Sequence, residues 1–248
     1  MWLILSEKTD IAALWVYQGL KDRGLSPLEW ITPQSLTPNV QWDHRLGEQG
    51  KNIQITLADG RKIDNETIQG VINRLVSVPF EWQILTHPDD REYAIQELTA
   101  FYISWLYALP CPMLNRPTPQ GLSGQWRHPS EWFWLAAQAG LPTLPYRQNS
   151  DSTKNQSNWS IELTSYASSV HTVFVVGERV LGVPFASPMR SPCQRLARLS
   201  GTQFLGIDFA ITPTKNWLFK NATPLPDLRL GGTNLLNSLF EVLQSKRS

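Results

Sequence analysis

Short apolar runs alternate with helical apolar patterns in the first part of the chain. Trp2–Leu5 is a continuous apolar run, which is typical of a strand covered on both faces. Apolar residues then recur at helical spacing over Ile11–Leu20, with Asp10 as a candidate N-cap and Gly24 as the terminator. A second strand is predicted over Leu28–Ile31. This β-α-β order predicts a parallel pair of strands joined by a right-handed crossover.

The pattern then changes to alternating apolar and polar residues, which predicts a β-hairpin. Its strands are Ile53–Leu57 and Arg61–Ile63, and Asp59-Gly60 supplies the turn. The segment Gly70–Val76 is interpreted as another buried strand. Helical spacing of apolar residues returns from Pro88 to Leu109 and predicts a long helix.

The middle of the chain combines proline-bounded, helical and strongly polar segments. Pro110–Pro117 is interpreted as a strand or a turn between prolines. A helix is predicted over Ser130–Ala139, with Ser130 as its cap and Gly140 as its terminator. Residues 148–158 contain no apolar side chain, so they are expected to form an exposed, mobile loop that carries no catalytic group.

The last part of the chain predicts two further hairpins and two helices. The predicted elements are hairpin strands Thr172–Val176 and Val180–Val183, helix Cys193–Leu199, hairpin strands Gly206–Ile211 and Trp217–Phe219, and helix Asn234–Leu243. Strands and helices therefore alternate along the chain, and the predicted fold class is α/β.

Composition limits the classes of function. The chain has 42% hydrophobic and 17% charged residues, which is enough apolar surface to form a core. A net charge of +1 gives no electrostatic reason to expect nucleic acid or an anionic membrane as a partner. Cys111 and Cys193 form no CxxC motif, so both are interpreted as free thiols. Met1–Leu5 is too short for a signal peptide or a membrane span, and a cytoplasmic location is predicted.

Common catalytic and nucleotide-binding motifs are absent from the sequence. It contains no GxGxxG, GxxxxGK[ST], GxSxG or HExxH, and its 4 histidines are scattered. Gly231-Gly232-Thr233-Asn234 is either a helix entrance that binds an anion or, as the simpler interpretation, a turn with Thr or Asn as the cap. Arg190, Arg195 and Arg198 form a basic cluster, of the kind that is usually a solvated helix face.

The final predicted hairpin carries a family resemblance. Gly206-Ile207-Asp208-Phe209 lies on its first strand, and Asn221-Ala222-Thr223-Pro224 follows its second strand. This order resembles the last hairpin of the ATP-grasp ligases. In that family an acidic residue on the first strand and a Glu-x-Asn-Pro motif after the second hold magnesium against the nucleotide phosphates.

Other motifs of the same resemblance occur in the family's order. These motifs are similar to those of ATP-grasp ligases that modify ribosomal peptides (graspetide-type) or add glutamate to ribosomal proteins. The motifs are Val71-Ile72-Asn73-Arg74, Asp89-Asp90, Leu114-Asn115-Arg116-Pro117, the helix end Ala136–Thr143, and Val173–Val180. The resemblance implies a bacterial-type protein with an N-terminal βαβ (pre-ATP-grasp-like) domain over residues 1–116. A shortened ATP-grasp-like α+β domain over 117–248 would follow. An unrelated α/β protein is the alternative.

The chain departs from the family in the residues that would contact ATP. The family has a lysine ahead of the alanine-rich helix, where this chain has Arg127 and His128. Arg127 is a candidate phosphate ligand or, alternatively, a surface or capping arginine. His128 is interpreted as a loop histidine rather than a catalytic base. The segment between Thr143 and Val170 is too short and polar for the family's lid over ATP, and Lys154 within it is interpreted as a solvated charge.

The metal position is also altered. Asp208 and Asn221 are the candidate magnesium ligands, with Thr223 nearby, and together they carry one negative charge. Magnesium usually takes carboxylate oxygens together with phosphates, and Lys220 adds a positive charge here. Asp208 is equally interpreted as a strand residue that bonds to the backbone. Phosphoryl transfer depends on positioning and electrostatics, so these changes predict impaired catalysis.

Two hypotheses about function follow from the resemblance. The first is a pseudoenzyme: a degenerate ATP-grasp-like protein that needs no cofactor and binds a peptide, a small acid or a partner enzyme. Some of its 11 tryptophans would supply the partner surface. The second is an active ATP-dependent carboxylate–amine ligase with ATP and magnesium as cofactors. In that case Arg127 holds phosphate, Asp208 and Asn221 hold the metal, and Arg190 or Arg195 holds the substrate carboxylate.

Overall fold

The chain folds into two compact units, each with its own hydrophobic core. The structure, a computed structural model, describes residues 1–36, 41–47, 50–57, 60–78, 87–144, 146, 169–183 and 187–245. The first unit comprises Met1–Trp126 and Leu236–Ser248, and the second comprises Arg127–Leu235. The domain boundary between residues 116 and 117 stays a prediction, and the first compact unit extends beyond that point to Trp126.

Eleven strands and five α-helices are present in the described ranges. The strands are β1 (Trp2–Ser6), β2 (Leu28–Ile31), β3 (Gln41–Gly47), β4 (Gly50–Thr56), β5 (Lys62–Asp64), β6 (Gly70–Arg74), β7 (Met113–Leu114), β8 (Ser169–Val176), β9 (Arg179–Leu181), β10 (Phe204–Ile211) and β11 (Trp217–Thr223). The helices are α1 (Ile11–Asp22), α2 (Pro88–Ala108), α3 (Pro129–Ala139), α4 (Arg190–Leu199) and α5 (Gly232–Gln244).

A parallel sheet with strand order β2-β1-β6-β7 forms the centre of the first unit. The apolar run of β1 explains this position, because a strand between two neighbours in a covered sheet buries both faces. Asp10 caps α1 as predicted, since its carboxylate accepts a hydrogen bond of 2.9 Å from the backbone N–H of Ala13. Gly24 ends the helical region with a φ of 82°, a conformation that favours glycine.

Aromatic side chains of α2 fill much of the first core. Tyr102 and Trp105 are both buried, and their rings lie 6.0 Å apart. Trp42 of β3 packs edge-on against Trp105 at 5.1 Å. The antiparallel sheet β3-β4-β5 therefore contributes to the same core as the long helix. β4 and β5 confirm the predicted hairpin, although Asp59 of the predicted turn lies outside the described residues.

The second unit is built on an antiparallel sheet with strand order β11-β10-β8-β9. Helices α3 and α4 cover one face of this sheet, where Trp132, Phe133 and Leu196 pack with strand residues. Both predicted hairpins are confirmed, and β11 continues to Thr223 instead of ending at Phe219. The second strand therefore carries the polar residues that were expected to follow it.

Three helix starts differ from the prediction. His128, not Ser130, is the N-cap of α3, and it forms a capping box in which the Glu131 carboxylate accepts from the His128 N–H at 3.2 Å. α4 begins at Arg190 rather than Cys193. α5 begins at Gly232, so Thr233 and Asn234 lie inside its first turn and do not form the expected turn and cap. Gly140 ends α3 at a φ of 81°, as predicted.

The structure describes both cysteines but not the polar loop at 148–158. Cys111 and Cys193 are both buried and form no disulfide, as expected, and burial raises the pKa of the Cys193 thiol to about 12. The loop at 148–158, with Lys154, lies outside the described residues, so its exposure stays a prediction. No helix in the described ranges is long and apolar enough to cross a membrane. The cytoplasmic location stays a prediction.

Candidate functional site

Three polar residues form a row across neighbouring strands of the second unit. Asp208 of β10 lies directly opposite Asn221 of β11 on one side and Thr172 of β8 on the other. Residues directly opposite in an antiparallel ladder share a face of the sheet and have their Cβ atoms about 5 Å apart. The two candidate metal ligands, Asp208 and Asn221, are therefore neighbours in space.

The row lies on the face of the sheet that α3 and α4 do not cover. Ile207 and Phe209, on either side of Asp208, are fully buried among the side chains of these two helices. Successive side chains of a strand point to opposite faces, so Asp208 points away from the helices. Asp208, Thr172 and Asn221 are each half-buried, and solvent or a ligand can reach this face.

A β-bulge separates the polar row from the apolar part of the hairpin. Phe219 pairs with Phe209 and Asn221 pairs with Asp208, so Lys220 is the additional residue of β11. The bulge lets Phe219 stay in the core while Asn221 shares a face with Asp208. Without it, the period of two along the strand would place Phe219 and Asn221 on the same face.

Asp208 already has a protein partner. The hydroxyl of Thr172 donates to Oδ1 of Asp208 at 2.6 Å, a short bond of the kind formed between a hydroxyl and a carboxylate. Asp208 therefore bonds to a side chain. A bond to the backbone was one interpretation of this residue from the sequence. Thr172 was missed as a site residue. Its only signal in the sequence is a hydroxyl at the start of an apolar run, which does not reveal its cross-strand partner.

The row does not fit a magnesium site of the usual kind. Magnesium requires nearly octahedral coordination by oxygen, commonly with carboxylates that balance its charge. This row offers one carboxylate, whose Oδ1 is engaged by Thr172, together with the Asn221 amide. Within the described ranges, no group of three or more His, Cys, Asp and Glu side chains could hold a metal. The side chains of this row therefore do not fit metal-dependent chemistry at the hairpin.

Introducing a second carboxylate should change how the row responds to divalent cations. We expect Asn221→Glu to lower the free energy of unfolding by about 0.5–1 kcal/mol in the presence of EDTA, because like charges directly opposite in a ladder repel. Millimolar Mg²⁺ or Mn²⁺ should recover this loss in the variant and leave the wild type unchanged. Thermal melts with and without cation measure both effects. A wild-type protein that is stabilised equally by the cation would contradict this description of the row.

Arg127 is held by the helical layer of the second unit. It precedes α3 and donates to the backbone carbonyl of Ser200, at the end of α4, at 3.2 Å. Its guanidinium also lies 3.4 Å from the Glu131 carboxylate and 5.8 Å from the Trp132 ring centre. These contacts connect the start of α3 with the end of α4. Phosphate binding by Arg127 stays a prediction, and His128 serves as a helix cap.

The arginines of α4 contact different parts of the second unit. Arg190 donates to the Val180 carbonyl at 3.0 Å, and Arg195 donates to the Ala139 carbonyl, at the end of α3, at 2.9 Å. Arg198 forms an exposed ion pair with Glu178. The hydrogen bond that the Arg198 guanidinium donates within this pair holds the pKa of the Glu178 carboxyl below its usual value. Arg127 and Arg195 thus bond at opposite ends of α3, about 16 Å apart for a helix of this length. Substrate binding by Arg190 or Arg195 stays a prediction.

The carboxyl ends of the parallel strands in the first unit carry a second polar group. Asn73 is buried, and its amide donates to the carbonyls of Asn115 and Leu122 at 3.0 and 2.7 Å. The next residue, Arg74, is buried and forms an ion pair of 2.7 Å with the partly buried Asp10. The Asn-Arg and Asn-x-Pro motifs thus meet at the same edge of the sheet, where their polar groups fix the loops that follow the strands.

Comparison with known proteins identifies the fold. No family model and no curated protein matches the sequence. The macrocyclase MdnC bound with precursor peptide MdnA, from Microcystis aeruginosa MRC, matches with a TM-score of 0.70, 16% identity and coverage of 98% of each chain. A Chryseobacterium gregarium RiPP-associated ATP-grasp ligase in complex with ADP and a leader and core peptide matches with a TM-score of 0.69 and 12% identity, over 99% of this chain and 97% of that one.

A third solved structure agrees with these two. The ATP-grasp ligase PsnB, complexed with a phosphomimetic variant of minimal precursor, Mg and ADP, has a TM-score of 0.67 and 16% identity, over 97% of this chain and 98% of that one. Residues 147–168, where the lid is predicted to be missing, lie outside the described ranges, so its absence stays a prediction. The predicted α/β class is confirmed, and the fold is the one that the resemblance implied. The chain has the fold of the ATP-grasp ligases.

Proposed function

We propose that this protein is a degenerate ATP-grasp-like protein that acts by binding a peptide or a partner enzyme. The fold supports peptide recognition as the function, because MdnC is solved with its precursor peptide and PsnB with precursor peptides. The altered hairpin supports the loss of ligase chemistry. A binding role needs the scaffold and a recognition surface, and it does not need the charges that position a transferring phosphoryl group.

One observation carries the proposal. Asp208 is the single carboxylate of the hairpin row, and the hydroxyl of Thr172 donates to it at 2.6 Å. Asn221 lies opposite, where a second carboxylate would be required for the usual metal site. Phosphoryl transfer is catalysed almost entirely by positioning and electrostatic stabilisation, so a missing charge at this position removes a large part of the catalytic effect.

The register of the same hairpin favours one alternative. Because Asp208 and Asn221 are directly opposite, their oxygens could act together in an ATP-dependent carboxylate–amine ligase with a rebuilt site. Arg127 would then hold phosphate, and Arg190 or Arg195 would hold the substrate carboxylate. PsnB is solved with Mg and ADP, and ATP and magnesium would be the cofactors here too if the ligase alternative holds.

Multiple-turnover release of ADP distinguishes the two proposals. We expect the purified protein with ATP and Mg²⁺ to release ADP no faster than Asp208→Ala, with a short peptide present that carries both an acidic side chain, as candidate phosphoryl acceptor, and a lysine, as candidate amine. The reason is that the hairpin no longer provides the charge for phosphoryl transfer. A coupled spectrophotometric assay over many turnovers measures this. Glu241→Ala, in α5, is the matched control for removing a carboxylate elsewhere.

ADP release that depends on Asp208 would contradict the binding proposal. If the wild type and Glu241→Ala release ADP at least ten-fold faster than Asp208→Ala, then Asp208 supports turnover. The ligase alternative would then replace the binding proposal.

A further inference from the structure

The topology of the first unit defines a place for a ligand. In the strand order β2-β1-β6-β7, the chain moves from β1 to β2 on one side and later returns to place β6 on the other side. The strand order therefore reverses between β1 and β6. In open α/β sheets, ligands bind in the crevice outside the carboxyl ends of the strands at such a switch point.

A groove lies at this switch point. Its volume is about 580 Å³, within the range of sites that hold small molecules or a few residues of a peptide. Glu7, which lines it, directly follows the end of β1, and Ser77 and Val78 follow the end of β6. Gln120 and Leu122, after β7, complete one side. The topology and the cavity thus indicate the same location independently.

The lining of the groove selects the chemistry of a ligand. Val78 and Leu122 are buried and form an apolar floor, while Gln34, Ser77 and Gln120 are exposed and can exchange hydrogen bonds with amide groups. Among the residues that the structure describes, Glu7 is the one charged side chain that lines the groove. Its carboxylate repels an acid and attracts a cation. The neighbouring Asp10 and Arg74 neutralise each other in their ion pair.

We propose that this groove binds a short peptide segment that carries a basic side chain. In this arrangement the carboxylate of Glu7 pairs with the cation, the glutamine side chains bond to the peptide backbone, and one apolar side chain packs on Val78 and Leu122. The inference deepens the proposed binding function, on which it rests, and it excludes a small acid as the ligand of this groove.

Two synthetic tripeptides test the proposal on the full chain without nucleotide. Both are N-acetylated and C-amidated; one has the sequence Ala-Lys-Leu, and the other has norleucine in place of lysine. We expect calorimetric or NMR titration to give about ten-fold tighter binding of the lysine peptide, since a charge-assisted hydrogen bond forms only with its ammonium group. Glu7→Gln should remove this ten-fold preference. Glu66→Gln, an exposed glutamate of the same unit outside the groove, should retain it.

Several results would overturn the proposal. They are the absence of saturable binding at millimolar peptide, equal affinity of the wild type for the two peptides, or an unchanged preference in Glu7→Gln. Because nucleotide is absent from these titrations, their failure is distinguishable from failure of the proposed function, which the ADP-release assay measures separately.

Discussion

Asp10→Ala is expected to lower the free energy of unfolding by about 3–5 kcal/mol. The carboxylate has two roles, because Oδ1 caps α1 by accepting from Ala13 and Oδ2 pairs with Arg74 at 2.7 Å. The Arg74 side chain is only 7% exposed, so removal of the carboxylate takes the partner charge from a buried guanidinium. Urea unfolding followed by tryptophan fluorescence measures the loss.

Two further variants separate the roles of Asp10. Asp10→Asn keeps an oxygen for the cap and removes the charge. It should therefore lower the free energy of unfolding by less than Asp10→Ala does. Asp22→Ala removes an exposed carboxylate from the same helix and should change the stability by less than about 0.5 kcal/mol. Equal losses for Asp10→Ala and Asp22→Ala would show that the ion pair and the cap contribute nothing specific.

The second large effect is expected at Trp105. This side chain is 1% exposed and packs edge-on against Trp42 at 5.1 Å. Trp105→Ala should lower the free energy of unfolding by about 3–5 kcal/mol, because it removes buried apolar surface and leaves a cavity that the neighbouring rings fill only in part. Chemical denaturation of the purified variant measures this change.

Trp134 provides a matched control for this prediction. It is also a tryptophan within an α-helix, but 60% of its surface is exposed. Trp134→Ala should therefore change the stability by about 0.5 kcal/mol or less. A comparable loss in both variants would mean that burial does not govern the contribution of tryptophan here. If Trp134 belongs to a partner surface, its substitution should weaken binding without destabilising the protein.

Elements with a clear apolar period could be predicted from the sequence, whereas elements that depend on a distant partner could not. β1, α1 and β8 follow their local patterns, and Asp10 and Gly140 act at the predicted helix ends. β3 was missed because Gln41-Trp42-Asp43-His44-Arg45-Leu46-Gly47 is mostly polar, and its strand conformation depends on pairing with β4. The cap at His128 was missed because histidine is an unusual N-cap.

In the candidate site, too, some residues could be predicted from the sequence and others depend on a distant partner. The sequence identified Asp208 and Asn221 through the order of motifs, and the register of the hairpin places them opposite one another. Thr172 lies far from both in the sequence, so only the pairing of β8 with β10 reveals its hydrogen bond to Asp208. The groove beside Glu7 was also missed, because it depends on the strand order of the parallel sheet.

The thermal response to nucleotide tests the central claim most directly. If the protein had a working site, nucleotide at a concentration of 100 times the Kd would stabilise it by about 2.7 kcal/mol. This corresponds to a Tm increase of about 5–10 °C for a chain of this size. We expect the Tm to stay unchanged in 5 mM ATP with Mg²⁺, because the hairpin row offers a single carboxylate, Asp208, and the proposed function requires no metal–nucleotide complex there. A saturable increase in Tm that is lost in Asp208→Ala would contradict this account and establish a nucleotide site at the hairpin.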